Sequence, residues 1–374
     1  MKPNNPFLIA GYYSPEYFCD RQKETAAVKD ALHNGRNVTL IAPRRMGKTG
    51  LIKNVFYRLR EQEPQTVTLY MDIYPTQNLG DFVKLFASTV LGTLDSAPQK
   101  AMNRVGKFIR SIRPAFTFDE LTGQPKVTVD IAPANEETTL KELFEYLGSS
   151  EKRCYIAIDE FQQINDYPEK GVEALLRSHI QFLPNVSFIF AGSKQHIMQE
   201  MFLSAKRPFY QSTQILSVDR IDMDEYYAFA YSFFQRDGKE FDRQVFSGMY
   251  DRFGGHTWYI QALLNRLYGY DEKPDPDLVR WAVARIVDES TYTYETILAN
   301  YSAGNIRLLK AIAKEGCVRE INSGDFLAKY KLKAASSVNS FLKKLVDKEL
   351  VYKTPEGYIV YDRFMAIWLS EQPY

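Results

Sequence analysis

Apolar positions in the first 218 residues follow two alternating spacings. Short runs of apolar and β-branched residues at 38–42, 66–73, 154–158, 187–191 and 213–218 have the length and make-up of buried strands. Between them apolar residues return every three or four positions. That spacing predicts helices over 24–32, 48–62, 79–94, 102–112, 139–147, 171–182 and 194–203. In 48–62 the stripe is Leu51, Ile52, Val55, Phe56 and Leu59, and Pro64 stops it. Strands separated by helices need right-handed crossovers, so the pattern predicts an α/β fold with a mostly parallel five-stranded sheet covered on both faces. One stretch breaks the rhythm. Phe116, Thr117 and Phe118, then 127–131, flank Leu121-Thr122-Gly123-Gln124-Pro125, which reads as a β-hairpin inserted over about 114–133.

After Asp219 the strand signal stops. Segments 222–234, 241–253, 256–268 and 275–291 read as helices rich in aromatics, forming a helical subdomain. Helices are again predicted at 305–315, 323–330 and 334–350. Tyr352 and Lys353, then Tyr358 to Tyr361, flank Thr354-Pro355-Glu356-Gly357. Three helices followed by a two-stranded wing describe a winged helix. The expected division is an α/β core over 1–218, a helical lid over 219–300 and a winged-helix domain over 301–374.

Composition narrows the function classes. Hydrophobic residues make up 45% and charged residues 25% of the 374, which suits a folded domain and not a disordered one. With 47 Lys and Arg against 46 Asp and Glu, a globally basic nucleic-acid binder is not expected, and only a local basic patch would serve. The three cysteines, Cys19, Cys154 and Cys317, are far apart and odd in number. They exclude a disulfide framework and a CxxC metal site and suit a reducing, cytoplasmic setting. No 18-residue apolar run is present, and the N-terminal segment reads as neither secretory signal nor membrane anchor.

The chemistry gathers at strand ends. Ala42-Pro43-Arg44-Arg45-Met46-Gly47-Lys48-Thr49 nearly fits GxxxxGK[ST], between an apolar strand and an amphipathic helix. Backbone N–H groups around Gly47, continuing toward Gly50, would form a concave nest for phosphate oxygens, and Gly47 lets the backbone approach the anion. The Lys48 ammonium would bridge β- and γ-phosphates, and the Thr49 hydroxyl would ligate Mg²⁺. Strand 154–158 ends in Asp159-Glu160, which should lie at the same edge of a parallel sheet. Asp159 is the expected Mg²⁺ partner, and Glu160 the group that orients and deprotonates the attacking water. Strand 187–191 leads to Ser193, for which two roles stand: a contact to the γ-phosphate or lytic water, or the N-cap of the next helix. Arg44 and Arg45 either are solvated or read a partner or the nucleotide.

These residues carry a family resemblance. APRRMGKT, YIAIDEFQQI, FIFAGSKQHIM and GGHTWYIQALL resemble the archaeal-type ATPases of the AAA+/STAND branch of P-loop proteins, over almost the whole chain. The segment Phe18-Cys19-Asp20-Arg21-Gln22-Lys23-Glu24 is similar to that family's opening motif near the nucleotide base, which brings Arg21 into the nucleotide-binding set. The likeness implies ATP and Mg²⁺ binding, slow hydrolysis and a nucleotide-dependent rearrangement of the C-terminal parts. It also implies a nucleotide-sensor role for His256, where Thr257 replaces the usual proline; the other reading is a histidine that caps or packs at a helix start. Gln211 stands where relatives often have arginine, leaving Lys206, Arg207, Arg220 or a neighbouring copy's arginine as alternatives. Residues 301–374 carry 12 Lys and Arg against 8 Asp and Glu, with Lys331, Lys333, Lys343, Lys344 and Lys348 in and before the third helix. That helix would face DNA or a protein partner, or dock within the chain. The expected function is a Mg²⁺-dependent ATP-hydrolysing switch. The alternative is a DNA-associated regulator with a structural nucleotide, and phosphoryl transfer to a small molecule fits the Asp-Glu pair less well.

Overall fold

The computed structural model describes residues 2–94, 109, 111–118, 125–131, 135–332 and 334–373, with backbone alone for 112–118, 125–128 and 131. The chain divides into two compact units, one of residues 8–229 with 256–258, the other of the N-terminus through Phe7, 230–255 and 259–374.

The first unit is built on five parallel strands, β1 (Val38–Ile41), β2 (Val67–Asp72), β5 (Cys154–Asp159), β6 (Val186–Gly192) and β7 (Gln214–Ser217), in the order β2-β5-β6-β1-β7. Each strand is four to seven residues long, the span a buried parallel strand needs to cross the core. Side chains alternate between the two faces. Val38, Leu40, Tyr155, Ala157, Ile189 and Ala191 pack on one face with α1 (Gln22–His33) and α2 (Lys48–Gln62). Ile41, Ile156, Ile158, Phe188 and Phe190 pack on the other with α3 (Leu79–Leu94), α4 (Glu136–Gly148), α5 (Val172–Ile180) and α6 (Gln195–Leu203). Burial on both faces is why these strands read as continuous apolar runs.

Strands β3 (Ile112–Phe118) and β4 (Pro125–Ile131) pair antiparallel with Ile112 opposite Ile131, as the inserted hairpin predicts, while its turn at 119–124 lies outside the described residues. The helix predicted over 102–112 falls mostly outside them as well. Its last residue belongs elsewhere, because Ile112 opens β3.

A short 3-10 helix, Phe161–Asp166, follows β5. Phe161 anchors it, with its ring 4.6 Å from Phe190, 5.5 Å from Phe209 and 5.9 Å from Phe202, all four fully buried. Phe161→Ala would leave a void among these rings. It is expected to cost about 3–5 kcal/mol of stability, read as a lowered urea midpoint with an unchanged slope.

In the second unit, Phe7 packs on Phe233, Phe234 and Tyr268 with ring centroids 5.4–5.7 Å away, and Asn265 Nδ2 donates to Phe7 O at 2.7 Å. Its helices include the C-terminal part of α7 (Met223–Arg236), α8 (Arg243–Arg252), most of α9 (Thr257–Tyr268) and α10 (Pro276–Leu298). The winged part is α11 (Ala303–Glu315), α12 (Gly324–Lys329), α13 (Ala335–Asp347) and the wing β8 (Val351–Lys353) with β9 (Tyr358–Val360). The third helix stops short of the predicted residue 350, because Glu349 takes a left-handed φ of 56° that turns the chain into β8. Val318 adds a single antiparallel bridge to Tyr358, and α14 (Arg363–Glu371) follows the wing. No helix of the described residues is long and apolar enough to cross a membrane.

Candidate functional site

Parallel pairing puts the carboxyl ends of all five strands at one edge. Ile41 lies opposite Gly192 and Ser217, and Asp72 opposite Asp159. The segments after β1, β5 and β6 therefore converge there, as the sequence pattern expects.

The loop from Ala42 to Gly47 turns into α2. Arg45 and Gly47 both take left-handed φ, 63° and 95°, and no side chain caps the helix. The N-cap, Gly47, makes no side-chain cap bond, and the first turn of α2 presents a positive helix end suited to an anion. At Gly47 the positive φ favours glycine, and an added Cβ would meet nothing within 4 Å. Buried Lys48 donates through Nζ to Ala42 O at 2.9 Å and Pro43 O at 3.0 Å, so its ammonium is held inside the loop. Arg21, also buried and at φ 63°, pairs with Glu24 at 2.8 Å and donates to Met46 O at 3.1 Å. Arg21 thus supports the backbone of the loop. The Phe18 ring lies against Gly50, where a Cβ would come within 2.9 Å.

Across from the loop, Thr49 Oγ1 donates to Asp159 Oδ2 at 2.6 Å. Tyr70 on β2 donates its hydroxyl to the same oxygen at 2.9 Å. Burial first, and then the Asp159 carboxylate, push the Tyr70 phenol well above its ordinary range, so it stays a proton donor. Asp72 is a third acid at this edge. Burial raises it above the usual carboxylate range, the Tyr74 N–H pulls it down, and the Asp159 and Glu160 charges raise it further.

Glu160 sits in the left-handed region at φ 55° and ψ 39°. Few residues other than glycine adopt this geometry, and such outliers cluster at functional sites. Its N–H donates to Asp159 Oδ1 at 3.0 Å, and its Oε2 accepts from Ser193 Oγ at 2.7 Å and from Gln162 Nε2. Ser193 therefore holds Glu160 and does not cap α6, whose N-cap Lys194 lacks a side-chain cap bond. Arg44 Nε reaches Ser193 Oγ at 3.5 Å, a long contact that runs from the phosphate loop to the acid pair.

The structure thus brings together Pro43, Arg44, Met46, Gly47, Lys48, Thr49, Asp159, Glu160 and Ser193. Arg45 is exposed, and its guanidinium stacks 4.0 Å from the centroid of Trp258. His256 stands half-buried just before α9, two residues from that indole, whose Nε1 donates to Ile9 O at 3.1 Å. Of the cations considered beside Gln211, Arg207 is committed to Glu173 at 2.8 Å and Glu200 at 3.4 Å. Sequence reasoning missed Tyr70, Asp72 and the hydrogen bond of Gln162. Tyr70 and Asp72 are set by the pairing of β2 with β5, which no local pattern encodes, and Gln162 by the turn at Glu160.

A family model described as "ATPase domain predominantly from Archaea" matches residues 18–263, and one described as "Probable winged helix domain" matches 292–371. No curated protein matches the chain. Among solved structures it is similar to the Walker-type ATPase of Pyrococcus abyssi, with a TM-score of 0.66, 18% identity, 97% of this chain covered and 99% of that one. It is also similar to the Aeropyrum pernix ORC2 protein in ADPNP–ADP complexes, with a TM-score of 0.63, 19% identity and coverage of 99% and 96%. The Aeropyrum pernix ORC1 protein in complex with DNA follows, with a TM-score of 0.56, 14% identity and coverage of 99% and 97%. These likenesses define a P-loop ATPase fold. Matched from Phe18 to Leu263, over more than half of its length, the chain belongs to the ATPase family found predominantly in Archaea.

Proposed function

We propose that this protein binds ATP with Mg²⁺, hydrolyses it slowly, and uses the nucleotide state to switch its C-terminal parts. The working parts would be an α/β core (1–218), a helical lid (219–300) and a winged helix (301–374). The observation that carries the reading is the pair of contacts Thr49–Asp159 and Ser193–Glu160, which bracket the mouth of the phosphate loop.

The donor set fits Mg²⁺. A hydroxyl and a carboxylate 2.6 Å apart are hard oxygen donors, and this ion keeps waters and phosphate oxygens as its other ligands. When bound, Mg²⁺ would neutralise charge on the β- and γ-phosphates. The protein groups do the rest. Loop N–H groups and Lys48 would hold the phosphates, and Lys48 would exchange its two loop carbonyls for phosphate oxygens. Glu160 would orient the attacking water and take its proton as the new O–P bond forms and the bond to the β-phosphate oxygen breaks. Ser193 would fix the carboxylate, and Arg44 would sense the γ-phosphate beside it. His256, two residues from the Trp258 indole that Arg45 covers, would report occupancy to α9. Cytoplasmic action is supported by the three free cysteines.

Purified protein is expected to release phosphate from ATP with Mg²⁺ and to stop when EDTA removes it. Absence of Mg²⁺-dependent release, alone and with DNA, would sink the enzyme reading.

A second reading, DNA contact, is favoured by exposed Lys343 and Lys344 on α13 and by the likeness to the DNA-bound ORC1 protein. Lys344 Nζ also lies 5.2 Å from the Tyr301 ring centroid. Changing both lysines to Glu is expected to weaken a low-salt gel shift and to flatten its salt dependence. No shift by wild type at low salt would reject this contact, leaving a protein partner or a dock within the chain.

A further inference from the structure

We infer that Gln162 is a positioning residue for Glu160, an inference that rests on the hydrolytic reading above. The left-handed turn at Glu160 ends β5 and starts the 3-10 helix, and Gln163 N donates back to Glu160 O at 2.9 Å. Phe161 is locked in the aromatic core on one side of this turn. The next residue, Gln162, is 2% exposed and folds back beside the acid, where its Nε2 donates to Glu160 Oε2. That oxygen also takes the Ser193 hydroxyl at 2.7 Å. Two donors on one oxygen fix the plane of the carboxylate and leave Oε1 for the attacking water.

The orientation of the amide follows from the charge it faces. Turned over, it would set its carbonyl oxygen against a carboxylate oxygen, so Nε2 must point to Glu160. The consequence lies at its other end. Gln162 Oε1 is buried with no hydrogen-bond partner, and it lies against Gly192. A Cβ at residue 192 would come within 2.2 Å of that oxygen. Gly192, the last residue of β6, therefore makes room for the amide and for the Met198 side chain, whose Sδ such a Cβ would meet at 2.5 Å. A buried carbonyl without a donor destabilises a fold, and apolar side chains of similar size satisfy such a site better. The buried glutamine at this place is accounted for by its bond to Glu160.

The test compares the full chain carrying Gln162→Leu or Gln162→Glu with wild type and Glu160→Gln. It reads phosphate release, binding of a fluorescent ATP analogue with Mg²⁺, and the nucleotide-free melting temperature. Gln162→Leu should keep wild-type nucleotide affinity, melt at the same temperature or higher because the orphaned oxygen is gone, and lose about 10- to 100-fold in kcat. Gln162→Glu, which sets like charges together, should lose more. A structural role would instead lower the melting temperature and the activity together, and that result overturns the inference. So does Gln162→Leu turning over at the wild-type rate while Glu160→Gln is inactive, an outcome that leaves the hydrolytic reading standing. Wild type that releases no phosphate removes that reading and this inference with it.

Discussion

Glu160→Gln should give a protein that still takes up magnesium nucleotide but has lost about 10²- to 10⁴-fold in turnover. Carboxamide and carboxylate have nearly the same shape, so Ser193 Oγ still finds an oxygen acceptor at that place. What disappears is the basic oxygen that accepts the proton of water. Lys48 and Thr49 are untouched, so affinity should move by no more than a few-fold. Single-turnover phosphate release and equilibrium binding, measured on one preparation, separate the two effects. A variant that hydrolyses ATP at the wild-type rate would show that Glu160 is not the base.

Lys48→Ala should show the complementary defect. The ammonium is held by two carbonyls of the loop, Ala42 O and Pro43 O, at 2.9 and 3.0 Å. Charge-assisted bonds of this kind contribute about 1.5–3 kcal/mol each, so its loss should weaken ATP binding roughly 10- to 100-fold. In the nucleotide-free protein, Ala42 O and Pro43 O lose their donor too. The melting temperature should then fall slightly without ligand, and ATP should raise it far less than in wild type. Thermal unfolding with and without magnesium nucleotide reads both effects. Unchanged stabilisation by ATP would place the phosphates elsewhere.

Much of this was legible because the chemistry sits where chain direction is forced. An apolar strand, six loop residues and a helix stripe from Leu51 to Leu59 can form only one local geometry, and α2 spans Lys48–Gln62 as its periodicity predicts. The five parallel strands followed from their apolar runs, because both faces of the sheet are covered. Where the sequence was mute, a residue's place depended on register or on one unusual dihedral. Tyr70 reaches Asp159 only because β2 lies beside β5 with Asp72 opposite Asp159. Gln162 reaches Glu160 because of a left-handed turn at a glutamate, which no composition signal marks. The end of α13 was misjudged for the same reason, since Glu349 turns where the apolar spacing continues to Leu350.

The Phe7 cluster bears on how this polypeptide is made. Phe7 leaves the ribosome long before its ring partners, which reach as far as Tyr268. At translation rates of about 5–20 residues per second, the wait lasts roughly 15–50 s. During that interval the leading peptide must stay unassembled while the Leu8–Phe229 body condenses behind it.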